Sequence, residues 1–441
     1  MAKTDIPPFE LRPGDDRPFY DVEAQTMPRD RLRALQDERL RAVVARVFDK
    51  PVPHFKAKLE AAGIAGPDDV KAVTDLDAVP VTVKQELRDS EAAVPPVGDY
   101  RATDLRDNVK LGTSTGTTGT PTVALWTKHD LWVDCEAAAR MFWSTGIRPG
   151  HIVTHAHPSY LYSGGSMNTL AYEHLGCLCI HVPPPDTDEL AEQGLQMWQR
   201  VTPDFPFMGF ATGTFFTRAK HLDIDPLDVG LDFSKMVAPV GSDGVLGLMT
   251  AGAECFPYLG NICGNRLGTH LAEDYTYVQA LGEDDRPVPD GEWGRLVVTT
   301  FGRDNFLIRY DLEEAARLDT ADCGCGQTHQ RGWWGGRFKD LVTTQGRSFM
   351  LLDIERALKG VAEIQGGGLE YVVVRPAEGA GDAPLRLRVE VGDGQDGDRA
   401  LVATHIENAF RSELGIAATV EVLDREALGR SGYKTQRVVD E

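Results

Sequence analysis

Nothing in the 441-residue chain approaches the apolar run that a membrane-spanning helix needs. The N-terminal stretch, with Pro7, Pro8, Glu10 and Asp15 to Arg17, also lacks the charged-then-apolar order of a signal peptide. Positive charge is scarce: 46 lysines and arginines stand against 67 aspartates and glutamates, a formal net charge of -21, and no basic block interrupts the excess. Such a chain repels nucleic acid and anionic lipid, so neither is expected as a partner and a cytoplasmic location is. Cysteine is sparse too. Seven of them, an odd number without a secretory signal, point away from a disulfide framework and towards reduced thiols or metal ligands.

What is present suits an ordinary globular protein. With 42% hydrophobic and 26% charged residues the chain can bury a sizeable core and is long enough for at least two domains. Residues 28–62 read as helical, because Leu32, Leu35, Leu40, Val43, Val44 and Val47 recur at helical spacing among polar residues. Further on, short apolar runs (His151 to His155, Cys177 to Val182, Leu296 to Thr300) alternate with helical stretches (Leu131 to Ser144, Thr187 to Val201), the pattern of an α/β fold. Gly282 to Gly294 reads as an exposed turn region. After Gly335 and Gly336 the character changes. Helices at Leu352 to Leu358 and Arg399 to Leu414, with strands at Glu370 to Val374, Leu385 to Val391 and Ala418 to Leu423, predict a small α+β domain. The expected division is 1–337 and 338–441.

The sharpest local signal is Leu111-Gly-Thr-Ser-Thr-Gly-Thr-Thr-Gly-Thr-Pro-Thr122, ahead of a strand at Val123 to Trp126. Glycines let the backbone approach an anion closely, and main-chain N–H groups and hydroxyls then cradle phosphate oxygens. A flexible polar linker is the alternative reading. No Gly-Lys-Ser/Thr follows, so the Walker pattern is excluded.

This loop resembles that of adenylate-forming enzymes, and the chain from about residue 25 onwards resembles the phenylacetate-CoA ligase branch. The resemblance is carried by Pro28-Arg29 with Leu35-Gln36, Pro80-Val-Thr-Val-Lys84, Gly150-His-Ile-Val153 with Gly164-Gly165, and Gly268-Thr-His-Leu-Ala-Glu-Asp274. Arg309-Tyr310, Cys323-Gly-Cys-Gly-Gln-Thr-His329, Gly336-Arg337 and Ile354-Glu355 complete it. It implies a large α/β adenylation domain with a small mobile domain, ATP and Mg2+, and activation of a small, aromatic carboxylic acid as acyl-adenylate before transfer to CoA. By the same resemblance Thr113, Ser114, Thr115, Gly116, Thr117, Thr118 and Gly119 hold phosphates, Glu254 serves magnesium, Glu314 and Arg337 take ribose, and Lys339 is the hinge. Lys434, in Gly432-Tyr-Lys-Thr-Gln-Arg437, matches the lysine that contacts carboxylate and α-phosphate, although a solvated tail lysine reads the same way. The acyl pocket falls on Tyr160, Tyr162, Phe210 and Gly241, any of which also suits a core. A homodimer is implied by the resemblance alone.

The departures from the family matter. Its Tyr-Gly-x-Thr-Glu segment is Thr250-Ala-Gly-Ala-Glu254 here, keeping the glutamate; the ribose aspartate is Glu314, one methylene longer; and Gln345-Gly346 replaces the more usual Arg-Gly near the thiol path. These leave open two other readings: an adenylating synthetase with an amine or hydroxyl acceptor, and a non-catalytic relative that binds an aryl ligand or a partner protein. Cys263, His270, Cys323 and Cys325 supply three thiolates and one imidazole, the set of a closed structural Zn2+ site, with His329 the substitute ligand and free thiols the plainer alternative. Cys135, Cys177, Cys179 and Cys255 read as small core residues. Trp333 and Trp334 suit a nucleotide cover or domain packing.

Overall fold

The opening helical pattern folds as two helices, α2 (Arg29–Asp49) and α3 (Pro53–Ala61), after a single short turn of helix, α1 (Val22–Gln25). Leu32, Leu40, Val43, Val44 and Val47 form the buried stripe of α2, as their spacing requires. The break has a covalent cause. Pro51 has no N–H to donate, Lys50 before it is extended (φ -116°, ψ 99°), and Pro53 occupies the first turn of α3, where a missing N–H costs nothing. The computed structural model describes residues 14–50, 52–113, 121–156, 161, 163–184, 187–207, 218–219, 221–225, 252, 254–265, 267–364, 369–375, 382–392, 398–428 and 436–440.

After α4 (Lys84–Ala93), strands β1 (Lys110–Thr113) and β2 (Val123–Trp126) pair antiparallel, and α5 (Lys128–Ser144) follows. The Thr127 hydroxyl caps α5 by accepting from the Asp130 N–H at 3.1 Å. Next come β3 (Ile152–His155), α6 (Ser163–His174), β4 (Leu178–His181), α7 (Asp188–Val201) and β5 (Phe205–Phe207). β3 lies between β4 and β5, parallel to both, and α6 and α7 make the crossovers, as the strand-helix alternation predicts.

A six-stranded antiparallel sheet carries most of the site. Its strands are β6 (Gly260–Asn261), β7 (Thr269–Leu271), β8 (Thr276–Leu281), β9 (Trp293–Thr300), β10 (Tyr310–Asp319) and β11 (Arg331–Arg337), in the order 6-7-11-10-9-8. β10 and β11 escape the sequence reading. Their register shifts between Asp311 and Ala315 against β9, and again at Ala315/Ala316 against β11, so the alternation that marks a strand is broken where the charged residues lie.

The remainder comprises the hairpin β12 (Val342–Thr344) and β13 (Arg347–Phe349), helix α8 (Leu351–Lys359), β14 (Tyr371–Arg375), β15 (Leu385–Glu390), helix α9 (Arg399–Glu413), β16 (Ala418–Leu423) and β17 (Val438–Asp440). The last four strands form one sheet in the order 16-15-14-17, and Val342, Phe349, Leu358, Val373, Leu387, Ile406 and Phe410 belong to a core separate from the one that Trp126, Phe142, Tyr275 and Leu296 help to build. The two bodies meet at Trp293, whose indole N–H donates to Asp353 Oδ2 at 2.7 Å. Gly335 permits this contact, because a Cβ there would lie 2.7 Å from Met350 Cγ and 2.8 Å from the Trp293 ring.

Candidate active site and metal cluster

Glu254 sits in a tight turn. The N–H groups of Cys255 and Phe256 both donate to the Gly252 carbonyl, at 2.9 and 2.8 Å. Gly252 has φ +79°, and a Cβ would lie 2.8 Å from Cys255 Sγ, so the turn requires a glycine at this position. The Glu254 carboxylate is half-buried, and both of its partners act on Oε1: Lys84 Nζ at 3.0 Å and the Tyr310 hydroxyl at 2.9 Å. Burial opposes ionisation, but the charge and hydrogen bond of Lys84 win and hold the group below the ordinary glutamate range. Lys84 reaches this point because Thr82 forms a parallel bridge with Tyr310, with the Thr82 N–H donating to the Arg309 carbonyl at 2.8 Å.

Four residues along β10, Glu314 stands opposite Arg337 of β11. Arg337 Nη1 lies 3.2 Å from Glu314 Oε1 and the Trp334 indole N–H donates to Oε2 at 2.8 Å. Here burial wins. It raises the Glu314 carboxyl above its usual value despite Arg337, and the negative charge of Glu254 adds to the effect, so the two carboxylates feel each other. Trp334 is thus an orienting donor within the sheet, Trp333 lies against the guanidiniums of Arg317 and Arg331, and Trp293 makes the bond between the two bodies. Lys339 follows in the exposed single-turn helix Phe338–Asp340, where its carbonyl accepts from Arg375.

A second constellation lies at the far end of β7 and β11. One ligand atom each from Cys263, His270, Cys323 and Cys325 falls within 4.8 Å of all the others. His270 Nε2 is 3.3 Å from Cys323 Sγ and 3.4 Å from Cys325 Sγ, while the Cys263 and Cys323 sulfurs are 3.8 Å apart. His270 Nδ1 faces the His329 carbonyl at 3.0 Å, which fixes the tautomer that leaves Nε2 as a ligand. His329 itself is excluded: its two ring nitrogens meet the carbonyls of Leu271 (2.7 Å) and Ala24 (2.9 Å). Burial raises both flanking thiols. Bonding to His270 and to the Asn265 backbone reverses this at Cys263, which falls to about 6, while Cys325 is pushed up to about 12. Of the other cysteines Cys135, Cys177 and Cys255 are buried and Cys179 is half-buried.

Of the phosphate loop only Thr113 is described. It ends β1, its N–H donating to the Leu161 carbonyl at 2.7 Å. Ser114, Thr115, Gly116, Thr117, Thr118, Gly119, Tyr160, Tyr162, Phe210, Gly241 and Lys434 lie outside the described residues. Arg437, three positions beyond Lys434, is anchored: its guanidinium donates to the carbonyls of Tyr371 and Leu369, both at 3.0 Å, where β17 joins β14.

The model of the AMP-binding enzyme C-terminal domain matches residues 352–441. Phenylacetate-coenzyme A ligase of Thermus thermophilus is 29% identical over 455 residues, 96% of this chain and 99% of that one. Its counterpart from Aromatoleum evansii is 27% identical, covering 97% of each. Over nearly its whole length this chain is similar to phenylacetate-CoA ligases, and its last stretch to the C-terminal domain of AMP-binding enzymes. A crystal structure of 2-hydroxyisobutyryl-CoA ligase in the postadenylation state shares its fold, with a TM-score of 0.76, 24% identity, and coverage of 98% of this chain and 94% of that one.

Gln345, where the resemblance leads one to expect arginine, has a structural role of its own. It has φ +50°, its Oε1 accepts from the Ala417 N–H at 2.9 Å and its Nε2 donates to the Ala417 carbonyl at 3.0 Å, so it fastens the tip of the β12–β13 hairpin to the edge of the neighbouring sheet. No helix among the described residues is long and apolar enough to cross a membrane.

Proposed function

We propose that this protein is an AMP-forming ligase that activates a small aromatic carboxylic acid with ATP and passes the acyl group to CoA. The observation that carries the reading is the pair of carboxylates set along β10: Glu254, presented by its turn and held ionised by Lys84 and by Tyr310 of β10, and Glu314 of β10, set against Arg337 and Trp334. One suits a cation beside phosphates and the other the hydroxyls of a ribose.

In the first step the acid's carboxylate oxygen attacks the α-phosphorus of ATP; the bond to the bridging oxygen breaks and pyrophosphate leaves, giving the acyl-adenylate. In the second the CoA thiol, losing its proton, adds to the acyl carbon, and AMP departs with the carboxylate oxygen. Catalysis of this kind is positioning and charge stabilisation. Thr113 to Gly119 hold the β- and γ-phosphates, Glu314 and Arg337 hold the ribose, and Lys434 stabilises the pentavalent phosphorus. A hard cation fits at Glu254 because the carboxylate stays ionised and both side-chain bonds fall on Oε1; magnesium, when bound, neutralises phosphate charge. The acyl group lies against Tyr160, Tyr162, Phe210 and Gly241. Residues 1–337 and 338–441 act as adenylation domain and mobile domain, turning about Lys339 between steps.

Cys263, His270, Cys323 and Cys325 hold a structural zinc ion. The sulfur and nitrogen separations suit a tetrahedral ion with Zn–S of about 2.3 Å, and no position is left for a water. A cytoplasmic homodimer completes the proposal.

The test is release of pyrophosphate and AMP with benzoic, hydroxybenzoic, aminobenzoic, phenylacetic and cinnamic acids, with and without CoA, for wild type and Lys434→Ala. CoA-dependent AMP turnover lost in the variant is the expected result. Turnover indifferent to CoA would replace the thiol by another acceptor, and absence of turnover and of ATP binding would remove the enzyme altogether.

A further inference from the structure

A cavity of about 210 Å³ lies between the start of α2 and the six-stranded sheet. Its apolar lining comes from Tyr277, Val278 and Ala280 of β8, Pro287 and Val288 of the loop after it, and Leu318 near the end of β10. Its polar lining begins with Arg29 and Arg33, four positions apart in α2 and therefore on one face of that helix. No residue of the lining belongs to the reaction site described above. On β10 the cavity stands beyond that site, since Leu318 follows Glu314 by four residues of strand, about 13 Å.

The two arginines differ in what holds them. Arg29 is committed: it pairs with the carboxylate of Glu273 and donates to the Thr328 carbonyl at 3.3 Å, and Glu273 also accepts the Gln330 N–H. Arg33 has no such partner. Its guanidinium lies 5.8 Å from the centre of the Tyr277 ring, and its Nη1, although buried, makes no hydrogen bond among the described residues. A cationic donor kept from water without an acceptor is costly, and an anionic oxygen in the cavity would relieve it. The remaining charge in the lining sets a limit on that anion. Asp290 is exposed, and its Oδ2 accepts from the N–H and the hydroxyl of Thr320 at 3.0 and 2.6 Å, so a doubly charged ligand would be repelled where a singly charged one pairs with Arg33.

One uncompensated guanidinium beside an aromatic ring and apolar walls is the chemistry that recognises a small organic acid. The space is sufficient, because a cavity of about 150 Å³ already takes up benzene. We propose that this cavity is a second ligand site, separate from the acyl pocket, which binds a small apolar monocarboxylate with its carboxylate on Arg33 and its body against Tyr277, Val288 and Leu318. Such a ligand ties α2 to β8 and β10 whether or not the chain is a ligase. With one charge-assisted bond and a small apolar body, it binds at about millimolar concentration.

The experiment is methyl NMR of the full chain labelled at valine and leucine, titrated separately with benzoate, benzyl alcohol and inorganic phosphate, for wild type and Arg33→Met, with circular dichroism to check folding. The methyl signals of Val278, Val288 and Leu318 report this cavity alone, so benzoate held in an acyl pocket does not interfere. In wild type, benzoate should move these signals to saturation, and neither benzyl alcohol, which has the ring without the charge, nor phosphate should move them at the same concentration. Arg33→Met should weaken the benzoate response about 10-fold or more, the scale of losing a hydrogen bond to a charged group. If that variant does not fold, the comparison of benzoate with benzyl alcohol in wild type decides. Signals unmoved by benzoate, moved as strongly by benzyl alcohol or phosphate, or moved equally in folded Arg33→Met would overturn the proposal. Release of AMP by Arg33→Met should match wild type, and a wild type without turnover would remove the ligase reading while a saturating methyl response still established this site.

Discussion

Glu254 was legible from its place in a family segment, but its two partners were not, because they stand 170 and 56 positions away and only the Thr82–Tyr310 bridge brings them in. A position-by-position reading also left Trp334 between two roles, and neither is the bond it makes to Glu314. Substituting Glu254→Gln keeps the shape and removes the charge; adenylation, followed as pyrophosphate release, should fall about 100-fold, the scale of losing one charge-stabilising group in a closed site. Asp134 makes a prediction about stability. Burial raises its carboxyl to about 7, against the lowering by Arg303 and Trp126. Between the ordinary carboxylate value and pH 7 the folded chain holds a proton that the unfolded chain has lost, so this group's contribution to stability falls as pH rises through that window and is flat above it. Denaturant titrations at pH 5, 6, 7 and 8 should therefore show wild type losing stability relative to Asp134→Asn up to about pH 7. An unchanged difference would mean that the carboxyl titrates normally.

At the scale of elements, periodicity foretold α5, α7, α8, α9 and three strands of the smaller sheet, since one face of each is buried and the pattern shows it, but not its fourth strand, the short β17. It gave no sign of β10 and β11, where bulges and charged residues interrupt the alternation, nor of the break between α2 and α3 that the prolines impose. The cysteine and histidine spacing was informative because Cys263 and His270 come from β7 and the loop before it and Cys323 and Cys325 from the β10–β11 loop, which the pairing of β7 with β11 brings together. If zinc joins these segments, elemental analysis of purified protein should give about one zinc per chain, and Cys323→Ser should lose it with a lower melting temperature. Because the cluster is closed, ATP affinity in the metal-depleted protein should change far less than its stability. A parallel loss of both would place the metal at the reaction instead.

On the scale of the whole molecule, among the described residues Trp293 and Asp353 form a direct bond between the parts that carry the two cores. Asp353 also accepts the Met350 N–H at 3.0 Å at the start of α8, so Asp353→Asn keeps a cap of similar shape while weakening the tie. If the smaller body turns between half-reactions, this variant should alter the thioester step more than adenylation, seen as a changed CoA dependence of AMP release at constant pyrophosphate release in single turnover. The same contact has an optical meaning. Trp126, Trp143 and Trp198 are enclosed in packed surroundings, whereas the Trp293 indole is bonded to a carboxylate of the other body and faces the Arg317 guanidinium, 5.0 Å from its ring centre. Breaking the bond exchanges a charged neighbour for water, so the intrinsic fluorescence carries its own reporter of rotation, with a steady background from the buried indoles and no dye to attach.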